Sequence, residues 1–215
     1  MIPGNYKAII FDMDGVLWDS SKIHYKAYRK SLIDEGLSPP HYKNIAGRRT
    51  RDVMHDICKE QFKIYDDSIV ANLTKKKQYL ANKELEKNPP IAYDCKSTLK
   101  KLSTKYILAL STSGSCKNTK IFLDNSGLEN IFESILCGDN ISSAKPDPEI
   151  YLLTAKNLNL KVSECIVIED SLSGILSANN AGMKSIAITG THDYSELALS
   201  TSILIINNLN ELCQD

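Results

Sequence analysis

Two carboxylates, Asp12 and Asp14, follow the apolar run Ala8, Ile9, Ile10 and Phe11, with Gly15 directly behind them. Such a continuous run is the pattern of a parallel strand covered on both faces. Ligands of open α/β sheets bind beyond the carboxyl ends of the strands, so paired acids there are placed for chemistry. An Asp-Gly turn that serves only turn geometry is the alternative. A second strand-like run, YILAL, ends in STSGS, where Ser111, Thr112 and the backbone N–H groups before a helix could hold an oxyanion. Helix capping alone would also account for that stretch. In SSAKPDPEIY, Lys145 is a point cation that could neutralise phosphate and hold a carboxylate ionised. Finally, CIVIED delivers Glu169 and Asp170 to another strand end.

Four acids in one pocket repel one another unless cations intervene. Lys145 supplies one positive charge and a hard divalent cation the rest. Mg²⁺ binds through one or two carboxylates plus substrate phosphate, which makes it the expected metal. With the charge balanced, one carboxylate of the first pair can attack phosphorus while the other donates and removes protons.

The elements that position these residues follow from the apolar runs. Strands are expected at 8–11, 106–110, 134–137, 165–169, 185–189 and 203–207, alternating with helical patterns, which predicts a doubly wound parallel sheet. The strand ends at Asp12, Ser111 and Glu169 are separated by 99 and 58 residues. A βαβ unit needs roughly 30 residues, so the first gap holds an insertion of about 70. Residues 21–35, 48–62 and 67–87 read as amphipathic helices, which makes the insertion a small all-α domain. We expect a core of residues 1–18 and 90–215 and a cap of 19–89. Pro89 and Pro90 stiffen the return passage.

Composition narrows the class further. In 215 residues, 42% are hydrophobic and 24% charged, and no apolar run approaches the ~18 residues of a membrane span. The amino-terminal stretch meets acids before any long apolar core develops, so a cytoplasmic location is expected. Net charge is zero, with 15 Lys/Arg against 10 Asp/Glu in residues 19–87 and the opposite bias elsewhere. That asymmetry suits a basic module facing an acidic site and is too small for nucleic acid. A small phosphorylated metabolite, no nucleic acid or membrane partner, and a monomer are expected. Six cysteines without a C-x-x-C pair predict free buried thiols rather than a disulfide framework or zinc site.

Together, D-x-D-G at 12–15, Ser111, Lys145 before P-D-P and E-D at 169–170 resemble the haloacid dehalogenase superfamily over essentially the whole chain. The helical insertion after the first motif resembles the branch that includes β-phosphoglucomutase and many small phosphatases. Asp14 argues against true dehalogenases, which lack the second acid. The resemblance implies that Asp12 forms an aspartyl-phosphate and Asp14 is the general acid/base. It further implies that Mg²⁺ is held by Asp12, the Asp14 main-chain carbonyl and Asp170, with Glu169 nearby, and that Ser111 and Lys145 bind the phosphoryl group. Asp19, Ser20 and His24 follow a D-[ST]-x-x-x-H pattern, in which His24 either packs the linker or serves the site. Mutase members carry a basic residue where this chain has Gly114 and an arginine where it has Thr50, with Arg48, Arg49 and Arg51 around that position. A phosphatase is therefore expected first, a phosphomutase second, and a non-catalytic phospho-receiver module third.

Overall fold

The computed structural model describes residues 2–62 and 65–214; Met1, Lys63, Ile64 and Asp215 of the expected ranges lie outside them. Six parallel strands form one sheet: β1 Ala8–Phe11, β2 Ile107–Ser111, β3 Ser134–Leu136, β4 Cys165–Glu169, β5 Lys184–Ile188 and β6 Leu204–Ile206. Their order is β3-β2-β1-β4-β5-β6. Chain order reverses beside β1, the topological switch point at which α/β sheets open a crevice. Phe11 lies in register with Leu110 of β2 and Ile168 of β4, so the residues following these three strands converge. β1 and β4 have the expected bounds, the ends of the other strands differ from expectation by a residue, and at β2 that residue matters.

Alternation along the strands divides the core in two. Ile9, Phe11, Leu108, Leu110, Ile166 and Ile168 face one side, and Ala8, Ile10, Ala109, Cys165 and Val167 face the other. Both faces are covered, as the unbroken apolar runs require. Among the covering helices are α4 Cys95–Leu102, α5 Cys116–Ser126, α6 Glu149–Asn157 and α7 Leu172–Asn180, while a short α8, Tyr194–Leu197, follows β5.

Between β1 and α4 the described residues contain three α-helices and no strand: α1 Ser21–Ile33, α2 Thr50–Gln61 and α3 Asp67–Lys87. Tyr28, Leu32, Val53, Met54, Ile57, Val70 and Leu73 form an apolar cluster of their own. Buried Val70, Leu73, Lys77, Ala81 and Leu85 mark one stripe of α3 at helical spacing. The two passages to and from these helices run side by side, with Asp19 N–H donating to Pro90 O at 2.7 Å and Ala92 N–H to Leu17 O at 3.0 Å.

One expectation about the cysteines is corrected. Cys116, at the start of α5, and Cys137, just past β3, form a disulfide with a Cα separation of 5.3 Å. They lie 21 residues apart in sequence and meet because β2 and β3 are neighbours. Cys58, Cys95 and Cys165 are free and buried as expected, and Cys213 is free and half-buried. No helix of the described residues is long and apolar enough to cross a membrane.

Candidate active site

Asp12 leaves the end of β1, and its Oδ1 accepts from Lys145 Nζ at 2.6 Å. The same ammonium donates to Glu169 Oε1 at 2.7 Å and to the Ser111 carbonyl at 3.2 Å, so its three N–H bonds are all directed at oxygen. The Lys145 side chain is fully buried. Two adjacent carboxylates hold its pKa well above the usual lysine value against the opposing effect of burial.

Burial together with the Glu169 and Asp14 carboxylates pushes Asp12 up to about 8 although Lys145 opposes them. Asp170 is likewise raised well above the ordinary carboxylate value by burial and by Glu169 and Asp12. Oxygens of Asp12, Glu169 and Asp170 lie within 4.8 Å of one another. Asp170 Oδ2 is buried with no hydrogen-bond partner. Gly15 has φ +87°, and a side chain there would collide with the Asp170 carboxylate. Crowded, buried, under-neutralised oxygens with one acceptor left over are what a hard divalent cation requires, so the residues fit Mg²⁺.

Glu169 lies near this cluster, as expected, with its oxygens taken up by other partners. Its Oε1 accepts from Lys145 and from Tyr151 Oη at 2.9 Å, and its Oε2 accepts from Asp170 N–H, Ser171 N–H and Ser171 Oγ at 3.1, 3.1 and 2.9 Å. Five donors leave this carboxylate as an anchor for Lys145 and the turn after β4.

Asp14 has a different set of partners. Its Oδ1 accepts from Ser20 Oγ at 2.5 Å and lies 2.9 Å from His24 Nε2. His24 Nδ1 lies 3.1 Å from Lys77 Nζ, which donates, so Nε2 carries the proton and donates to Asp14. Although burial opposes it, His24, Ser20 and Lys77 together keep the Asp14 pKa below the ordinary value. Burial and Lys77 lower the pKa of His24, which favours the neutral ring. His24 thus lines the cavity beside Asp14 as well as packing at the start of α1.

Lys77 was not legible as a site residue, because it ends a run of three lysines that reads as a solvated helix face. The signal was its phase: it occupies the buried stripe of α3 together with Leu73 and Ala81. Burial lowers its pKa to about 8. Its ammonium lies 4.4 Å from the centre of the Tyr28 ring and donates to Thr50 Oγ1 at 3.3 Å.

At β2 the structure separates two hydroxyls that are adjacent in sequence. Ser111 is the last strand residue, and its Oγ bonds Thr154 Oγ1 of α6 at 2.7 Å in the core. The expectation that this hydroxyl meets phosphate is corrected, since Ser111 continues the row of Ala109 and only its carbonyl reaches Lys145. Thr112, one residue on, lines the cavity with Ser113, Gly114, Ser115 and Asn118. A side chain at Gly114 would lie 3.3 Å from Asp14 Oδ2 and 3.2 Å from Thr112 Oγ1, so glycine keeps this loop open toward the acids.

The three cap arginines go to three places. Arg48 lines the cavity while pairing with Asp56 at 2.6 Å. Arg49 reaches Asp52 and donates across to Ile141 O and Ser142 O at 3.0 and 3.1 Å, which makes it a latch between insertion and sheet. Arg51 is exposed, lies 3.9 Å from Asp67 and is outside the cavity lining. Ser113 Oγ also donates to Gly47 O at 2.6 Å. With these contacts made, the cavity measures ≈ 50 Å³ and is bounded by Asp12 and Asp14 below and by Tyr28, Tyr42, Lys77 and Asn82 above.

Residues 9–188 match the family model described as haloacid dehalogenase-like hydrolase. A phosphorylated-carbohydrates phosphatase of Thermotoga maritima is 33% identical over 187 residues, covering 84% of this chain and 83% of its own. A β-phosphoglucomutase of Bacillus subtilis is 24% identical over 197 residues, covering 85% and 83%. The crystal structure of a β-phosphoglucomutase from Clostridium difficile superimposes with a TM-score of 0.85 at 25% identity, covering 96% of this chain and 93% of the other. A family match over most of the chain, joined to a parallel sheet that gathers Asp12, Asp14, Lys145 and Asp170 at its switch point, shows this protein to be an enzyme of the haloacid dehalogenase-like hydrolase family.

Proposed function

We propose that this enzyme is a Mg²⁺-dependent phosphatase that hydrolyses a small phosphate monoester, a sugar phosphate or similar, through an aspartyl-phosphate. The observation that carries the reading is the different surroundings of two carboxylates two residues apart. Asp12 lies against Lys145 and within 4.8 Å of an Asp170 oxygen, where a cation would keep it ionised for attack, whereas Asp14 is held by Ser20 and His24 beside the cavity. Such a pair can divide the nucleophile from the acid/base. Similarity to a phosphatase of phosphorylated carbohydrates supports the substrate class.

Asp12 and Asp170, with the Asp14 main-chain carbonyl, would hold Mg²⁺. Bound there, the ion supplies the positive charge that keeps the carboxylates ionised and offsets charge on the phosphoryl oxygens. Lys145 orients Asp12 through one oxygen and remains cationic beside the transferring group. Thr112 and the N–H groups of the following loop receive the phosphoryl oxygens. An arriving phosphate raises the Asp14 pKa by like-charge repulsion, which gives it the proton it donates to the leaving oxygen. With the alcohol product gone, Asp14 takes a proton from water, which attacks the acyl phosphate and frees Asp12 and inorganic phosphate. His24, fixed by Lys77, holds Asp14 in place through both steps.

Residues 19–89 act in this reading as a cap on the core of 1–18 and 90–215, hinged where the Asp19 and Pro90 passages pair. A cavity of ≈ 50 Å³ is far below the ~300 Å³ or more of ordinary ligand pockets, so substrate enters with the cap displaced and reacts with water excluded. Gly114 and Thr50 are uncharged, and Arg48 and Lys77, which line the cavity, are engaged by Asp56 and by His24 and Thr50, which favours hydrolysis over mutase chemistry. Product analysis with a hexose monophosphate and Mg²⁺ tests this: release of inorganic phosphate is expected, and an isomerised sugar phosphate without release would overturn it.

A further inference from the structure

The Cys116–Cys137 pair lies beside the loop that the proposed mechanism uses for phosphate. Cys116 is two residues past Gly114, and Cys137 immediately precedes Gly138, whose N–H donates to the Gly114 carbonyl at 2.7 Å. The same two segments are also joined by Cys116 N–H to Asp139 Oδ2 at 2.8 Å, and Cys137 N–H is held by Asn140 Oδ1 at 2.9 Å. The disulfide is therefore the covalent member of a clasp that pins the carboxyl end of β2 to that of β3.

Access to the two sulfurs is unequal. Cys116 is exposed, whereas Cys137 is 2% exposed. Both border a surface groove of ≈ 280 Å³ with Lys120, Leu123 and Ile135, which leaves room for an approaching thiolate. We propose that Cys116–Cys137 is a thiol–disulfide exchange site for a dithiol reductant, and that its redox state sets how tightly the adjacent loop holds phosphate. One thiolate of the reductant attacks Cys116 Sγ, the S–S bond breaks, and Cys137 leaves as a thiolate that takes up a proton. The second thiol of the same reductant attacks the mixed disulfide, releasing reduced Cys116. Two electrons pass to the protein pair and the reductant departs as its own disulfide.

After reduction the clasp keeps only its hydrogen bonds, and the loop must be ordered when phosphate arrives. That ordering weakens phosphate binding by about 3- to 10-fold. Linkage is reciprocal, so bound phosphate makes the disulfide harder to reduce by the same factor. The proposal rests on the phosphate-handling role of this loop and not on which ester is cleaved.

The test uses the full chain with Mg²⁺, oxidised or treated with dithiothreitol. Denatured thiol counts should be four and six, and calorimetry with inorganic phosphate should give the weaker affinity for the reduced form. Cys116→Ser and Cys137→Ser should each bind phosphate as the reduced wild type does and lose sensitivity to dithiothreitol. Equal phosphate affinities in the two states would overturn the proposal, as would a response to dithiothreitol that survives in Cys116→Ser. Six thiols after equilibration in oxidised glutathione would do the same. Absence of ester turnover with the affinity difference intact would instead count against the phosphatase reading alone.

Discussion

Replacing Lys145 with Met removes the one cation from a buried cluster of carboxylates, and the consequences follow from its contacts. Its ammonium satisfies Asp12 at 2.6 Å, Glu169 at 2.7 Å and the Ser111 carbonyl at 3.2 Å, with no exposed side-chain surface. Deleting one partner of a buried ion pair costs about 3–5 kcal/mol, because the charge left behind is uncompensated. For a chain of this size ~1 kcal/mol shifts the melting temperature by about 2–4 °C, so the variant should melt about 6–20 °C lower in EDTA. Adding Glu169→Gln removes a repelling carboxylate and should recover part of that loss without recovering turnover. Catalysis should fall by about 10²–10³ in kcat, the scale for losing one fixed group that stabilises transition-state charge. Thermal unfolding by circular dichroism and nitrophenyl phosphate turnover are the two assays. A Lys145→Met protein that melts within about 2 °C of wild type in EDTA would refute the electrostatic reasoning. Unchanged kcat would refute the catalytic part.

Asp12→Asn should abolish both turnover and the covalent intermediate, since an amide is a poor nucleophile; residual activity above about 1% would assign the attack elsewhere. Asp14→Asn should still be phosphorylated slowly by an activated nitrophenyl ester while hydrolysis of the intermediate stalls, and equal loss with activated and ordinary esters would count against the acid/base role. Ser111→Ala removes a buried hydrogen bond to Thr154 and should cost about 1 kcal/mol in urea unfolding with KM nearly unchanged, whereas Thr112→Ala should raise KM. Lys77, lowered from 10.5 to about 8 in the folded protein, binds fewer protons there than when unfolded between those values. Its effect on stability is therefore a constant penalty below pH 8 that is relieved as pH rises toward 10.5. Lys77→Met should flatten that rise in urea titrations at pH 7 and 9.5 and raise stability at pH 7, while weakening the His24 hold on Asp14.

Sequence alone determined the parts whose signal is local. Apolar runs placed the six strands to within a residue, and the 99-residue gap between Asp12 and Ser111 required an insertion that its helical periodicity made all-α. Acids and hydroxyls at successive strand ends were legible because parallel strands deliver their carboxyl ends to one edge, and Lys145 by its place before P-D-P in the loop after β3. Contacts between elements were decided only in three dimensions. Strand alternation carries Ser111 into the core and leaves Thr112 at the cavity, a difference of one residue that motif reading cannot resolve. The seating of the insertion over the sheet brings Lys77 to His24 and sends Arg49 to a latch and Arg51 to solvent. The adjacency of β2 and β3 joins two cysteines that sequence spacing left unpaired. Periodicity records which face of an element is buried, but the partner on that face is chosen by sheet order and by how the insertion packs, and neither leaves a signature within a single segment.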